Sequence, residues 1–376
     1  MPGAAPVRVD VAGRTDVGRT REHNEDAFLV ADLSAGLRLS EEGVHGYAVA
    51  GRELLFMVAD GMGGAAAGEI ASAMAVETVF RESLERWRAS GEHDPAAFAR
   101  ALRQAAEEAN QRIHVRAAED PELRGMGTTA TIAGLLGDSL YLAQVGDSRA
   151  YLVRDGHALQ ITKDQSLLQR LIDAGDMTEE EAERSGRRNI ILQALGPDAR
   201  VTIDLTHQEI RRGDVLILCS DGLSGLVRGE TIARLVAEYP DVRDLCERLI
   251  DEANESGGPD NITVIAARFE GDGLRAAQIG DPVGHQRFVG DDDAAPRSDD
   301  DWINRDPTLP PPPLTLDASP PAAIPRAAEP LAAGPPLPSA AELERRHARG
   351  RLWMRVLAAL AAVLVVVAVW RVFLAP

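Results

Sequence analysis

Along the first 270 residues, short apolar runs alternate with longer stretches of helical periodicity. The sharpest run is Leu54–Ala59, which stops abruptly at Asp60-Gly61 and meets two more glycines by Gly64. Six apolar residues bounded by glycine are too few for a helix and predict a strand buried on both faces. Such a strand delivers the Asp60 carboxylate to the rim of a core, where an uncompensated charge is costly. Taken alone, Asp-Gly after a strand describes an ordinary turn.

Further strands are expected at Ala27–Val30, Thr129–Leu135, Ser139–Val145, Ala150–Arg154, Val215–Cys219 and Ile262–Phe269. Long helices are expected near Ala66–Arg88 and Pro95–Ala118. Shorter ones follow at Ser166–Ala174, Thr178–Arg184, Glu230–Glu238 and Val242–Glu255. Leu140–Val145 and Ala150–Val153, joined by Gly146-Asp147-Ser148-Arg149, read as a hairpin. Helices in pairs with strands grouped between them suggest an α+β domain with antiparallel sheets.

Composition changes beyond residue 270. Residues 271–351 carry 14 of the 22 prolines, acidic patches at Asp291–Asp293 and Asp299–Asp301, and the run Pro310–Pro313. A segment so poor in apolar residues is expected to be a disordered tether. Leu352–Leu374 is then apolar on every side, and Val356–Trp370 holds no polar residue. With Arg355 and Arg371 snorkelling and Trp353 and Trp370 at the interfaces, residues 352–374 are expected to form a transmembrane helix. Arg345, Arg346, Arg349, Arg351 and Arg355 precede it and only Arg371 follows. That asymmetry predicts a single-pass protein of the cell membrane with its bulk in the cytoplasm.

Charge narrows the partners. A net charge of −19 argues against nucleic acid. Only Cys219 and Cys246 are present, so no disulfide framework is expected and a reducing compartment fits. The N-terminus shows neither the basic nor the apolar stretch of a secretory signal. His23, His45, His93, His114, His157 and His207 read as ordinary surface or turn residues.

The arrangement at Asp60 recurs. Asn24-Glu25-Asp26 leads into one apolar run, and Gly146-Asp147 closes another. Asp221-Gly222 follows Val215–Cys219 through Ser220, and Asp260-Asn261 opens the last run. If these strand ends share a rim, four or five carboxylates converge and repel one another unless cations intervene. Oxygen-only ligands point to Mg²⁺ or Mn²⁺ rather than zinc. Two such ions, about 3.5–4 Å apart, can activate a water and clamp a phosphoryl group.

The ordered motifs carry a family resemblance. RTREHNEDAF (19–28), VADGMGGAAAGEIAS (58–72), GMGTTA (125–130), QVGDSRAYL (144–152), ITKDQS (161–166), CSDGLS (219–224) and PDNITVIA (259–266) resemble the metal-dependent protein phosphatases, type 2C, in that family's order. The DGMGG form is similar to bacterial members that oppose eukaryotic-like Ser/Thr kinases. The resemblance covers residues 8–270. It implies an α+β, four-layer α-β-β-α sandwich in which two central antiparallel sheets are flanked by helix pairs. The implied activity is hydrolysis of phosphoserine and phosphothreonine by a water activated at two Mn²⁺ or Mg²⁺ ions. Implied partners are phosphorylated proteins, a Ser/Thr kinase and its substrates among them.

By the same resemblance, Asp60 would bridge both ions, with the Gly61 carbonyl on one and Asp221 and Asp260 on the other. Glu25 and Asp26 would orient metal-bound waters, and Asp26 would count among the metal-site residues. Asp147 with Asp221 would hold a weaker third ion, and Arg21 would grip the substrate phosphate. Arg19 is the neighbouring alternative, and the spacing R-x-x-N-E-D selects Arg21. Residues Lys163–Leu195, with Glu179-Glu180-Glu181 and Arg187-Arg188, fit the family's flap. Met62 stands where eukaryotic members carry His, and Gln165 and Ser185-Gly186 replace His-containing flap motifs. About Leu33–Gly51 is longer than the usual first hairpin.

Other readings find less support. Neither cysteine has an arginine six residues on, as a cysteine-nucleophile phosphatase needs, and no D-x-D-x-[TV] motif occurs. A non-catalytic phosphoprotein-binding pseudophosphatase would need damaged carboxylates, and all are present. An anti-sigma-factor antagonist as substrate is a variant of the same chemistry.

Overall fold

Side chains on Leu54–Met62 (β5) alternate between two apolar clusters. Leu55, Met57 and Ala59 join one cluster, and Leu54, Phe56 and Val58 join another. This period of two with both faces buried explains the unbroken apolar run. The computed structural model describes residues 7–39, 44–48, 53–90, 94–183, 190–278 and 280–288. The chain separates into compact units Met1–Ile303 and Asn304–Pro376, the second lying wholly outside the described residues.

The remaining strands are Arg8–Asp16 (β1), Asp26–Asp32 (β2), Leu37–Arg38 (β3), Val44–Ala48 (β4), Gly127–Thr128 (β6), Ala130–Leu136 (β7) and Ser139–Val145 (β8). Arg149–Arg154 (β9), His157–Gln160 (β10), Asp204–Glu209 (β11), Val215–Cys219 (β12) and Ile262–Glu270 (β13) complete them. Two antiparallel sheets result. One has the order β10-β9-β12-β13-β1-β4; the other runs β11-β8-β7-β5-β2-β3, with β6 paired to the end of β5.

Helices Ala65–Ala89 (α1) and Pro95–Glu119 (α2) cover the second sheet. Asp94 accepts a hydrogen bond from the Ala97 N–H ahead of Pro95, which fixes the start of α2. Leu167–Asp173 (α3), Glu179–Glu183 (α4) and Asp221–Ser224 (α5) are short. Gly229–Glu238 (α6) and Val242–Glu255 (α7) cover the first sheet through Ile232, Leu235, Leu245 and Leu249. Apolar clusters thus lie between α1/α2 and one sheet, between the sheets, and between the other sheet and α6/α7. The domain is α+β with two antiparallel sheets flanked by helices.

Two expectations change, and the long first connection takes a place in the sheets. β8 and β9 do not form a hairpin: β8 pairs with β7 and β11, and β9 with β10 and β12, in the other sheet. Gly146–Ser148 crosses between sheets, because both strands are buried on both faces and each needs a different neighbour. The long first connection supplies an edge strand to each sheet, β3 on β2 and β4 on β1.

The domain also does not end at 270. Residues 271–278 and 280–288 return along β11, with His207 N–H donating to Gln286 O and Phe288 N–H to Leu205 O. Phe288 packs edge-on against Tyr141 at 5.4 Å, and Asp281 pairs with the buried Arg211 at 2.7 Å. Average composition hides these few anchoring residues.

The expected linker from 289 onward and the expected transmembrane helix 352–374 lie outside the described residues. Among the described residues, no helix is long and apolar enough to cross a membrane. Cys219 and Cys246 are free and buried.

Candidate metal centre

Register brings the first two carboxylates together. β2 runs antiparallel to β5 with Asp26 directly opposite Asp60. Asp221 begins α5 just beyond β12, Asp147 lies in the crossing loop after β8, and Asp260 lies two residues before the start of β13 at Ile262. β12 and β13 are neighbours, so their two acidic ends are adjacent.

All five carboxylates share one electrostatic environment. Burial, then repulsion from Asp26, Asp221, Asp147 and Asp260, holds Asp60 well above the usual carboxylate range. Burial raises Asp26 to about 7 against the lowering pull of two hydroxyl donors. Asp147 also rises to about 7, through burial first and Asp221 second. Asp221 is raised by burial and by Asp260, and Glu25 by burial. Asp26, Asp60 and Asp221 retain some exposed surface, so the cluster forms an open rim with protein on most sides.

Individual side chains are firmly oriented. Asp26 Oδ2 accepts from Ser220 Oγ at 2.8 Å and Thr263 Oγ1 at 2.7 Å. Behind Thr263 stand the Thr15 hydroxyl at 2.7 Å and, beyond it, the Asn24 amide. Asp60 N–H donates to Thr129 Oγ1, while Asp60 O accepts from the Thr128 hydroxyl and the Thr129 N–H. Gly61 tolerates no side chain: an added Cβ would stand 2.2 Å from Gly68 O and 2.5 Å from Glu25 O. That close backbone approach explains the glycine after Asp60.

Arg21 Nη2 donates to Asp260 Oδ2 at 2.7 Å, and its guanidinium remains about half exposed. Arg19 instead bonds Gly258 O through its backbone. Asn261 gathers the loop before β2: it accepts from Glu25 N–H and donates to Val17 O and His23 O.

The donor set fits divalent cations. Asp26 Oδ1 and Asp147 Oδ1 are buried and lack a hydrogen-bond partner, which leaves each free to meet a cation. Among the described residues, no three acidic, His or Cys side chains stand grouped as a ready-made cage. Two of the arms are engaged elsewhere, since hydroxyls hold one side of Asp26 and Arg21 holds Asp260.

The flap region contains α3 and α4, and its residues 184–189, with Ser185, Gly186, Arg187 and Arg188, lie outside the described residues. Gln165 ties its base to the Asp147 loop, with Gly146 N–H donating to its Oε1 and its own N–H donating to Gly146 O, each at 2.9 Å. Asn110 on α2 holds the far end through Gly196 N–H and Asp198 O. His114 is no ordinary surface residue, since its Nδ1 lies 2.8 Å from Gly196 O. Thr129, Ser220, Thr263, Asn261 and Gln165 carry no expected role in the sequence, although each falls inside a motif quoted above.

The model of the family described as protein phosphatase 2C matches residues 44–262. The serine/threonine protein phosphatase PstP of Mycobacterium tuberculosis is 39% identical over 258 residues, covering 68% of this chain. The serine/threonine phosphatase stp of Listeria welshimeri is 34% identical over 263 residues, covering 67% of this chain and 92% of its own length. A crystal structure of the PstP catalytic domain with two manganese ions matches with a TM-score of 0.56 at 36% identity, over 70% of this chain and 99% of that one. The chain belongs to the protein phosphatase 2C family. It spans 44% of the length of the mycobacterial relative.

Proposed function

We propose that the chain is a metal-dependent phosphoprotein phosphatase acting on phosphoserine and phosphothreonine. The observation that carries this is the convergence of Asp26, Asp60, Asp147, Asp221 and Asp260, from separate elements, with two of their oxygens left unpartnered. Relatives named as serine/threonine phosphatases, and a relative's structure with two manganese ions, support it.

Asp60, the Gly61 carbonyl, Asp221 and Asp260 would hold two ions, Mn²⁺ or Mg²⁺, and Asp147 with Asp221 a weaker third. When bound, the ions supply Lewis acidity for a water nucleophile and neutralise phosphoryl charge. Asp26 Oδ1 would accept a hydrogen bond from that water and orient it, while Ser220 and Thr263 keep Oδ2 occupied. Glu25 orients that water from the neighbouring loop. Arg21, exposed at the rim, exchanges Asp260 for the substrate phosphate, which its planar guanidinium suits.

The partners are phosphorylated proteins, with a Ser/Thr kinase and its targets as the proposed set. Localisation at the membrane through residues 352–374, with the catalytic domain cytoplasmic, rests on the sequence pattern alone. The purified full chain should release phosphate from a phosphothreonine peptide in Mn²⁺ and lose that activity in EDTA. Turnover indifferent to chelation would contradict the proposal.

A further inference from the structure

Thr129 stands between Asp60 on β5 and the loop that carries Asp147, and its hydroxyl bonds neither carboxylate. It falls at the break between β6 and β7 and is fully buried. At this break a side chain replaces a ladder carbonyl: the Asp60 N–H donates to Thr129 Oγ1 at 2.9 Å. The same oxygen lies 2.8 Å from Ser148 Oγ, one residue after Asp147. Because Asp60 N–H can only donate, Thr129 Oγ1 accepts there and a hydroxyl proton bridges the second contact.

The methyl group is used as well. A Cβ added at Gly146 would stand 2.7 Å from Thr129 Cγ2, so the methyl occupies the space left by the glycine before Asp147. Gly146 has φ +99°, which itself favours glycine. Neighbouring threonines complete the frame without spanning it. Thr128 Oγ1 donates to Asp60 O, and Thr131 Oγ1 donates to Ser148 O, each at 2.9 Å. Of these three threonines, Thr129 alone contacts both sides through its side chain.

Asp60 belongs to one sheet, and Asp147 lies on the loop crossing to the other. Their carboxylates repel, so a cross-tie is needed to hold a fixed separation. We propose that Thr129 is a positioning residue that sets the spacing of Asp60 and Asp147, through the Asp60 N–H and Ser148 Oγ, for the ions of this rim. The proposal rests on the metal-site reading above. Groups that orient ligands in this way typically alter metal affinity about 10–100-fold when removed.

The test is calorimetric titration of the metal-free full chain with Mn²⁺, for wild type, Thr129→Val, Thr129→Ser and Ser148→Ala. Thr129→Val keeps the shape and removes the hydroxyl, and is expected to weaken Mn²⁺ binding about 10-fold or more. Thr129→Ser restores the hydroxyl and is expected to recover most of that affinity. A merely structural role would lower the melting temperature without changing Mn²⁺ affinity. Wild-type affinity in Thr129→Val, or equal weakening in Thr129→Ser, overturns the proposal. If Thr129→Val does not fold, Ser148→Ala decides: weakened binding supports the tie, and unchanged binding overturns it. Absence of Mn²⁺ binding by the wild type would instead overturn the metal-site reading on which the proposal stands.

Discussion

Asp26 and Asp60 face each other directly across neighbouring antiparallel strands, at the end where both strands open onto the acidic rim. Two carboxylates so placed gain from a shared proton or a shared cation and lose when both are bare. Their pairing follows from register alone, since the apolar runs of β2 and β5 align Ala27 with Ala59 and Phe28 with Val58.

That relationship sets a pH dependence. Asp26 and Asp147 rise from the ordinary carboxylate value to about 7. Raised folded-state values mean that the folded form binds protons more tightly than the unfolded chain. The metal-free protein therefore has this stability in full below about pH 4 and loses it as pH rises through about 7. Melting temperatures in EDTA should fall between about pH 5 and 8, and Mn²⁺ should flatten the decline by holding the carboxylates ionised. A flat or rising curve in EDTA would contradict this account of the rim.

Thr263→Val removes one of the two hydroxyl donors to Asp26 Oδ2. Donors to a carboxylate favour its ionised form, so their loss moves its proton affinity upward. The acidic limb of the pH–rate profile should shift to higher pH, and stability should fall by about 1–3 kcal/mol. An unshifted acidic limb would detach Asp26 from the rate-controlling ionisation.

Gly61→Ala places a Cβ against two backbone carbonyls, at Gly68 and Glu25, which cannot rotate away. Overpacking of this kind costs about 1–3 kcal/mol. It also displaces the Gly61 carbonyl, so Mn²⁺ binding should weaken more than stability alone would require. Calorimetry and thermal melts on one preparation separate the two effects.

How much of this was legible in the sequence depended on what each residue type can signal. β8, β12 and α7 stand where the apolar patterns put them, because burial on both faces or on one helical face writes directly into the sequence; β5 starts where expected but runs on through Asp60-Gly61 to Met62. β1 and β11 did not stand out: RVDVAGRTD and DLTHQE intersperse polar residues. The false hairpin at β8–β9 arose because adjacency in sequence suggests pairing, whereas here a buried loop changes sheets. Carboxylates at strand ends were conspicuous. Thr129, Ser220 and Thr263 were not, because hydroxyl residues in or beside strands are common and only geometry shows which oxygen they hold.

Composition also set the domain edge too early. Arg211, almost fully buried, pairs with Asp281 and Glu209, and Gln208 bonds Pro282 O and Gly284 N–H. Removing residues 271–288 takes Asp281 from the Arg211 guanidinium and Phe288 from Tyr141. A fragment ending at 270 should therefore melt below one ending at 288. Equal melting temperatures would show that this return strap adds nothing.

Residues 352–374 carry the proposed anchor. Full-length protein should stay with membranes through high salt and alkaline carbonate, and a chain ending at 351 should be released. Release of the full-length chain by salt would remove the anchor from the account.

The central claim is that Asp60 and its partners hold the ions on which phosphate release depends. Its most direct measurement pairs Mn²⁺ stoichiometry with phosphothreonine-peptide turnover in wild type and Asp60→Asn. The account predicts two tightly bound ions and Mn²⁺-dependent turnover in the wild type, with both lost in the variant. Undiminished turnover in Asp60→Asn, or a wild type that turns over with no bound metal, would contradict it.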